Sequence, residues 1–310
     1  RFQEIEPKKN LLSWRVNYNH WLRWDLGGRN LYRAVNSNVH GRWKNFLETG
    51  MGVTYENLDI SNNWLRGGPA FRKPNGFGLW SYIGTDSRKK LRMNLDLNYG
   101  HGQEVKTRFL GAWTYFTWVP TDALNISLGP SWRGNSREDQ YVSTKTLNGE
   151  DVFILGSIDQ QTISMNIRVN FNLTPDLTIQ YYGQPFISRG QYSAFKTVLD
   201  PIAAGRDERF TDIPADQISF TADTYNVDAD LDDNSDYSFG NPDFNFMQFR
   251  SNMVARWEYK PGSELFLVWS QGLVNSGDPQ KGLFPSLGED LFGEKINNTF
   301  LVKFTYRFLR

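Results

Sequence analysis

The sequence contains no cysteine, and this excludes a disulfide scaffold, thiolate zinc sites and a cysteine nucleophile. It has no run of 18 or more apolar residues, so no helix is predicted to span a bilayer. Histidine occurs only at His20, His40 and His101, without the HExxH spacing of a catalytic zinc site. Basic and acidic residues both number 34, so the net charge of zero does not indicate nucleic acid as a partner.

Motifs of catalysis are also missing from the sequence. There is no GxSxG nucleophile elbow, no phosphate-binding loop and no glycine-rich nucleotide fingerprint. Carboxylates such as Asp200, Asp207 and Glu208 have no neighbouring residues that would support acid–base chemistry. The chain is therefore predicted not to be an enzyme, and a surface glycan hydrolase is the least favoured alternative.

Alternation of apolar and polar residues is the main feature that is present. From Thr162 to Asn172 every even position is polar, whereas the odd positions from Ile163 to Leu173 are all apolar. Because successive side chains of a strand point to opposite faces, this strand has one apolar and one polar face. Two structures fit: a half-buried sheet in a soluble protein, or a barrel with lipid outside and water inside.

About twelve such strands follow one another along the chain, separated by turns of two kinds. Tight turns are predicted near Lys44, Ser87, Thr121, Pro175 and Pro261. Long loops are predicted at about 188–245 and 273–297, with a short helix near 192–199. Outer-membrane barrels have this combination of short turns on one side and long loops on the other. The pattern favours an all-β, antiparallel, up-and-down transmembrane β-barrel that occupies residues 1–310.

Charged residues recur on the polar faces of these strands and are predicted to face the lumen of the barrel. They are Arg15, Arg23, Arg92, Asp96, Arg168, Arg250, Arg256 and Glu258. In an open, porin-like barrel they would influence which solutes pass. The alternative is that they pair across the interior and close it, since buried charges require partners.

An acidic segment is the best candidate for a metal site. Asp228, Asp230 and Asp232 have the spacing of a calcium loop, and Asp236 stands at its ninth position. Two positions depart from the EF-hand pattern, because Asp233 stands where glycine is needed and Phe239 where the bidentate glutamate belongs. Calcium is thus a candidate ligand, and a solvated acidic loop without any cofactor is the alternative.

Five segments resemble the C-terminal barrel region of a Gram-negative outer-membrane family of unknown function. They are SLGPSW (127–132), YYGQPFISRGQYSAFK (181–196), DYSFGNPDFNFMQFRSN (236–252), RWEYKPGSELFLVWSQG (256–272) and FLVKFTYRF (300–308). Longer members of that family carry an N-terminal module similar to family-nine carbohydrate-binding domains. The resemblance implies a location in the Gram-negative cell outer membrane and further strands and the module upstream, but no activity.

The partners that this interpretation implies are outer-membrane lipid, other outer-membrane or periplasmic proteins, and glycans bound through the upstream module. Either the twelve strands close on themselves or additional strands complete a larger barrel, because a sheet edge in lipid leaves backbone groups unpaired. The predicted role is a membrane anchor or passage, or a subunit of an outer-membrane assembly. A non-membrane all-β binding protein is the alternative.

Overall fold

The computed structural model describes residues 1–308 and is almost entirely antiparallel β-structure. The strands are β1 (Phe2–Glu4), β2 (Leu11–Trp24), β3 (Asn30–Trp43), β4 (Glu48–Ser61), β5 (Phe71–Lys73), β6 (Gly76–Gly84), β7 (Leu91–Gly102), β8 (Thr107–Thr121), β9 (Leu124–Leu147), β10 (Glu150–Thr174), β11 (Leu177–Val198), β12 (Phe210–Asp212), β13 (Ile218–Thr221), β14 (Thr224–Val227), β15 (Tyr237–Gly240), β16 (Phe244–Lys260), β17 (Ser263–Ser276) and β18 (Asn297–Thr305).

Helical structure is confined to short pieces. Helix α1 (Arg206–Arg209) precedes β12, and α2 (Leu283–Pro285) continues into a π-helical turn (Ser286–Leu291). Over the described residues 1–308, no helix combines the length and the apolar character that crossing a membrane requires.

Twelve long strands form one up-and-down sheet, in which each strand pairs with its neighbours in the chain. Their order is β2-β3-β4-β6-β7-β8-β9-β10-β11-β16-β17-β18, while β1, β5 and β12 are short additions to it. Strands β13, β14 and β15 form a separate sheet. The predicted all-β, antiparallel, up-and-down fold of about twelve strands is therefore confirmed. Within residues 1–308 the sheet does not close, because β18 pairs with β17 alone and β2 beyond Val16 pairs only with β3.

The register of the sheet joins the apolar faces of its strands into one continuous surface. Ile163 lies directly between Trp132 of β9 and Ile187 of β11, and neighbouring rows pair apolar residues of the other long strands, with a few polar residues such as Ser81 and Gln271 among them. This apolar face is largely uncovered: the exposed fraction is 60% for Met51 and 73% for Phe300. A one-residue shift in any strand would move its apolar residues to the other face.

Strands β9, β10 and β11 extend well beyond this apolar face, and both sides of the extension are covered. Leu155 belongs to a buried cluster with Leu65, Phe71, Val105 and Phe210. Its neighbour Ile154, which points to the opposite side, belongs to a second cluster that includes residues of β14 and β15. The largest cores of the molecule thus lie at this end, between the extension and the connections that pack on it.

The boundaries of the two long loops differ from those predicted. Strand β11 continues to Val198, so the first loop begins at residue 199, and the helix predicted near 192–199 is wrong. Because both faces of the extension are buried, its residues lose the alternation that identifies a strand. The loop itself contains α1 and β12–β15, and the second loop begins after Ser276.

Aromatic rings on the polar face lie flat against glycines of neighbouring strands. Trp80 covers Gly52, its direct partner in the sheet. A Cβ atom added at Gly52 would approach the Trp80 ring to 2.6 Å, whereas one added at Gly272, on the same face of β17, would meet nothing within 4 Å. The Trp80 indole can therefore lie flat against the sheet because Gly52 has no side chain.

We expect Gly52→Ala to destabilise the sheet by about 2 kcal/mol, because the indole must leave its position. Gly272→Ala, the matched control, should leave the stability unchanged or slightly higher. The measurement is the midpoint of chemical unfolding followed by intrinsic fluorescence. Equal midpoints for the two variants would show that Trp80 moves without cost.

Candidate functional site

The polar face of the sheet is the first candidate for a functional surface. All eight charged residues that were predicted to face a lumen lie on this face, since each alternates with residues of the apolar face in its strand. The register brings Arg92 opposite Thr117, and Asp96 lies between Tyr82 and Trp113. The sheet thus gathers them on one surface, and that this surface lines a lumen stays a prediction.

Some of these charges have partners and others do not. Arg256 donates from Nε to Oε1 of Glu264 at 2.8 Å and forms an ion pair with Glu258 at 3.2 Å. Arg23 lies 3.5 Å from Asp59. In the part of the chain that the structure describes, the remaining members form no ion pair, namely Arg15, Arg92, Asp96, Arg168 and Arg250. Mutual neutralisation is therefore incomplete.

Polar and aromatic groups fill the space between these charges. His40 contacts the Tyr82 hydroxyl through Nδ1 at 2.9 Å and the Asn38 side-chain oxygen through Nε2 at 3.0 Å. The rings of Trp80 and Tyr82 are nearly parallel, with an angle of 5° between them. Asn17 donates to Asn38 at 2.7 Å. The face therefore offers hydrogen-bonding groups and flat rings, which suits contact with water or with polar solutes.

A cap covers the polar face at the end where the long loops lie. We define the cap as connection 61–75 and segment 199–217. Lys73 forms an ion pair with Asp59 of the polar face, and the Trp64 indole donates to the backbone oxygen of Asp139 at 2.8 Å. The guanidinium of Arg137 stacks on the same indole, 4.2 Å from its ring centroid. Lys73 and Trp64 thus tie the cap to Asp59, Arg137 and Asp139 of the long strands.

Three ionisable side chains are fully buried beneath the cap: Asp139, Lys196 and Arg209. Lys196 donates to the backbone oxygen of Glu138 at 3.0 Å and lies 3.9 Å from Asp212. Arg209 donates to the backbone oxygens of Arg72 and Ala204, which ties segment 199–217 to connection 61–75. Burial lowers the pKa of the Lys196 ammonium and of the Arg209 guanidinium. Asp139 therefore supplies negative charge where two buried cations need it.

Two polar atoms of this cluster have no hydrogen-bond partner among the described residues. One is Oδ2 of Asp139 and the other is Nε of Arg209, although Oδ1 of Asp139 accepts from Arg137 at 2.9 Å. Sequence reasoning missed this cluster, because Lys196 and Arg209 come from a stretch predicted to be a long loop with one short helix. The only available signal was an unusual density of charge, from Arg206 to Arg209, in a region with few apolar residues.

The acidic segment brings together three of its four predicted calcium ligands. Carboxylate oxygens of Asp228, Asp230 and Asp236 lie within 4.8 Å of one another, about the distance between opposite ligands of a calcium ion. Asp232 is not among them and accepts instead from the backbone of Asn234 at 2.9 Å. Repulsion by Asp232 raises the pKa of Asp230. Asp233, which stands where the calcium-loop pattern has glycine, has a φ of 71°, a backbone conformation that favours glycine.

The donor set of this cluster is compatible with a hard cation, because calcium prefers carboxylate oxygens. Both oxygens of Asp228 also accept from backbone N–H groups of Asp232 and Asp233, at 3.2 and 2.9 Å. These hydrogen bonds alone explain the shape of the loop. A calcium site therefore stays a prediction, with a solvated turn as its alternative.

Comparisons with known proteins identify a family but no activity. Residues 1–309 match a protein family that is described as a domain of unknown function (DUF5916). No curated protein matches the chain in sequence. Among solved structures, the chain is similar to a protein named copper transporter OprC, with 10% identity and a TM-score of 0.45. The match covers 93% of this chain and 41% of that one, so the chain spans less than half the length of that transporter.

We expect Asp139→Asn to loosen the cap, because Arg137, which stacks on Trp64 of the cap, would lose its ion-pair partner. Breaking a buried pair costs about 3 kcal/mol, so amide hydrogen exchange in connection 61–75 should accelerate roughly a hundredfold. Asp216→Asn makes the same chemical change at an exposed position and should have no effect. Identical exchange in both variants would contradict the role assigned to Asp139.

Proposed function

The chain belongs to the DUF5916 family, and on this basis and that of its fold we propose that it forms the wall of a Gram-negative outer-membrane β-barrel. The observation that supports this most directly is the uncovered apolar face, which extends across all twelve long strands and is broken by a polar group of Ser251, Gln271 and Asn298 on β16–β18. Contiguous apolar surfaces of this extent are rare on soluble monomers and mark contact with lipid or protein. The opposite face is polar and charged, as in barrels with a hydrated interior.

The height of the apolar face agrees with that of a membrane. On β10 it extends from Ile163 to Leu173, about 33 Å along the strand and about 25 Å along the membrane normal for a strand tilted by some 40°. Aromatic residues mark both limits. Towards the tight turns these are Trp14, Trp118, Phe171, Trp257 and Phe304; towards the long loops they are Tyr55, Tyr99, Trp132 and Phe249.

The upper limit of the apolar face is also where the strands reverse their polarity. On the outer side Ile163 is followed by Gln161 and Asp159, which lie opposite Arg189 and Gln191 of β11. On the inner side Thr162 is followed first by Gln160, which donates to the Ser188 hydroxyl, and then by Ile158, which is buried. A single strand changes in this way when the medium outside it changes from apolar to aqueous. This reversal supports a membrane boundary at Gln161.

Closure of the barrel requires strands next to β2 and β18. In lipid the unpaired backbone groups of these edges would cost several kcal/mol each. We therefore propose that they pair with further strands of a larger barrel or with each other. The wall would serve as a membrane anchor or passage, or as a subunit of an assembly with outer-membrane or periplasmic proteins, without catalysing a reaction. Glycans would bind through an upstream module rather than through this wall.

A matched pair of substitutions on β7 tests whether the apolar face lies in a membrane. Leu97 lies on the apolar face and is 43% exposed, while its neighbour Asn98 lies on the polar face. In lipid vesicles Leu97→Arg should cost about 3 kcal/mol of unfolding free energy, and Asn98→Arg much less. If the apolar face met water instead, Leu97→Arg would change the stability by no more than about 0.5 kcal/mol. That result would favour a non-membrane binding protein.

Electrical recording in planar bilayers tests whether the barrel is a passage. We expect the full-length protein to show little steady conductance, because the cap packs on the polar face at the end of the long loops. Asp139→Asn, which loosens the cap, should increase the time spent in conducting states, while Asp216→Asn should not. A large stable conductance of the unmodified protein would show that the cap does not close the lumen.

A further inference from the structure

The second long loop, residues 277–296, lies on the outer side of the wall, and we call it the outer segment. Leu283 and Leu291 are buried against Ile187, Met247 and Phe249. These three wall residues belong to the apolar face at its upper limit. The outer segment therefore covers the top of the apolar face over β11 and β16.

Hydrogen bonds hold the outer segment in a defined position. Asn245, which is buried, donates to the backbone oxygen of Asp278 and to the Ser286 hydroxyl, both at 2.9 Å. Asn275 donates to the backbone oxygen of Asp290 at 3.0 Å. Arg189, just above the apolar face, donates to the backbone oxygen of Lys281 at 3.1 Å. The segment is thus fixed at the level where the outer side of the wall changes from apolar to polar.

Two large apolar side chains of this fixed segment point away from the wall's interior. Phe284 is 76% exposed and Phe292 is 52% exposed. They are eight residues apart, about two helical turns, and follow directly after the buried Leu283 and Leu291. The Phe292 ring meets the Phe249 ring of the wall edge-on, with 5.7 Å between centroids. The two exposed rings therefore extend the apolar face outward at its upper limit.

We propose that the outer segment is a lipid-binding collar, whose Phe284 and Phe292 rings enter the boundary between acyl chains and headgroups. This inference rests on the proposed function, since the wall must first lie in a membrane. Amphipathic segments that lie at this boundary carry Phe, Trp and Leu on their apolar side and bury that side to a depth of about 5–10 Å. Lys281 forms ion pairs with Glu289 at 2.8 Å and Asp290 at 2.6 Å, which reduces repulsion between these carboxylates and anionic headgroups.

Lipid is the occupant that this geometry favours over a protein partner. The Phe292 ring packs on Phe249 of the apolar face, and Phe284 follows Leu283, which is buried against that face. One apolar medium can therefore cover the face and the segment. The rings stand at the height where the wall reverses its polarity, and not on the distal sheet β13–β15. Phe220 of that sheet is also exposed, by 52%. It packs on Tyr225 with 4.5 Å between ring centroids, and its sheet is separate from the one that carries the apolar face.

Site-directed spin labelling tests the collar, because the chain has no cysteine of its own. The full-length protein would carry a nitroxide at Phe284→Cys, with Leu97→Cys as the control within the apolar face and Phe220→Cys as the control on the distal sheet. In vesicles of phosphatidylethanolamine and phosphatidylglycerol, collisions with oxygen and with a water-soluble nickel complex report the depth of each label. Near-ultraviolet circular dichroism would confirm that each variant is folded.

We expect a deep label at Leu97→Cys, an aqueous one at Phe220→Cys and an intermediate, oxygen-accessible one at Phe284→Cys. A deep label at Leu97→Cys with an aqueous label at Phe284→Cys would overturn the collar and leave the barrel standing. A label at Phe284→Cys that neither reagent reaches would also overturn it, in favour of a protein partner or a second copy. An aqueous label at Leu97→Cys would overturn the barrel itself.

Discussion

The uncovered apolar face shared by the twelve long strands is the constraint on which the rest of the molecule depends. An apolar surface of this extent is unfavourable in water, so the face requires an apolar surrounding. Because successive side chains of a strand point to opposite faces, the polar residues then occupy the other face. A large ring lies flat on that polar face only where the neighbouring strand has no side chain beneath the ring. Gly52 meets this need beneath Trp80. Side-chain size on the polar face is thus set by the rings that neighbouring strands place on the same face.

Beyond Gln161 the same strands are subject to a different requirement. They extend past the apolar face, and their two sides are buried by the cap and by the sheet β13–β15. The cap contains about as many charged as apolar residues, and Arg209 of the cap and Lys196 of β11 are buried there and bond to backbone oxygens. A buried charge is tolerated only with such partners. These hydrogen bonds fix the position of the cap, and the stability of the cap depends on single carboxylates such as Asp139.

The fold was predictable wherever a strand has one apolar and one polar side. Twelve strands, their antiparallel order and the common face of Arg15, Arg168 and Arg256 all follow from local alternation. The prediction of a helix near 192–199 was wrong because Phe195 and its neighbours are buried from both sides, which removes the alternation. Three of the four aspartates proposed for calcium do lie together, but Asp232 turns to the backbone of Asn234, a choice that spacing alone does not reveal.

The sequence by itself determined which face of each strand is apolar, because that property depends only on the identities of adjacent residues. Tertiary structure alone decided what covers the two faces of the wall at the end of the long loops. The partners of Asp139 and Lys196 come from segments up to 75 residues away, and the position of the outer segment is fixed by Asn245 and Arg189. Such contacts join residues that no local pattern relates, since their proximity arises only after the strands have paired.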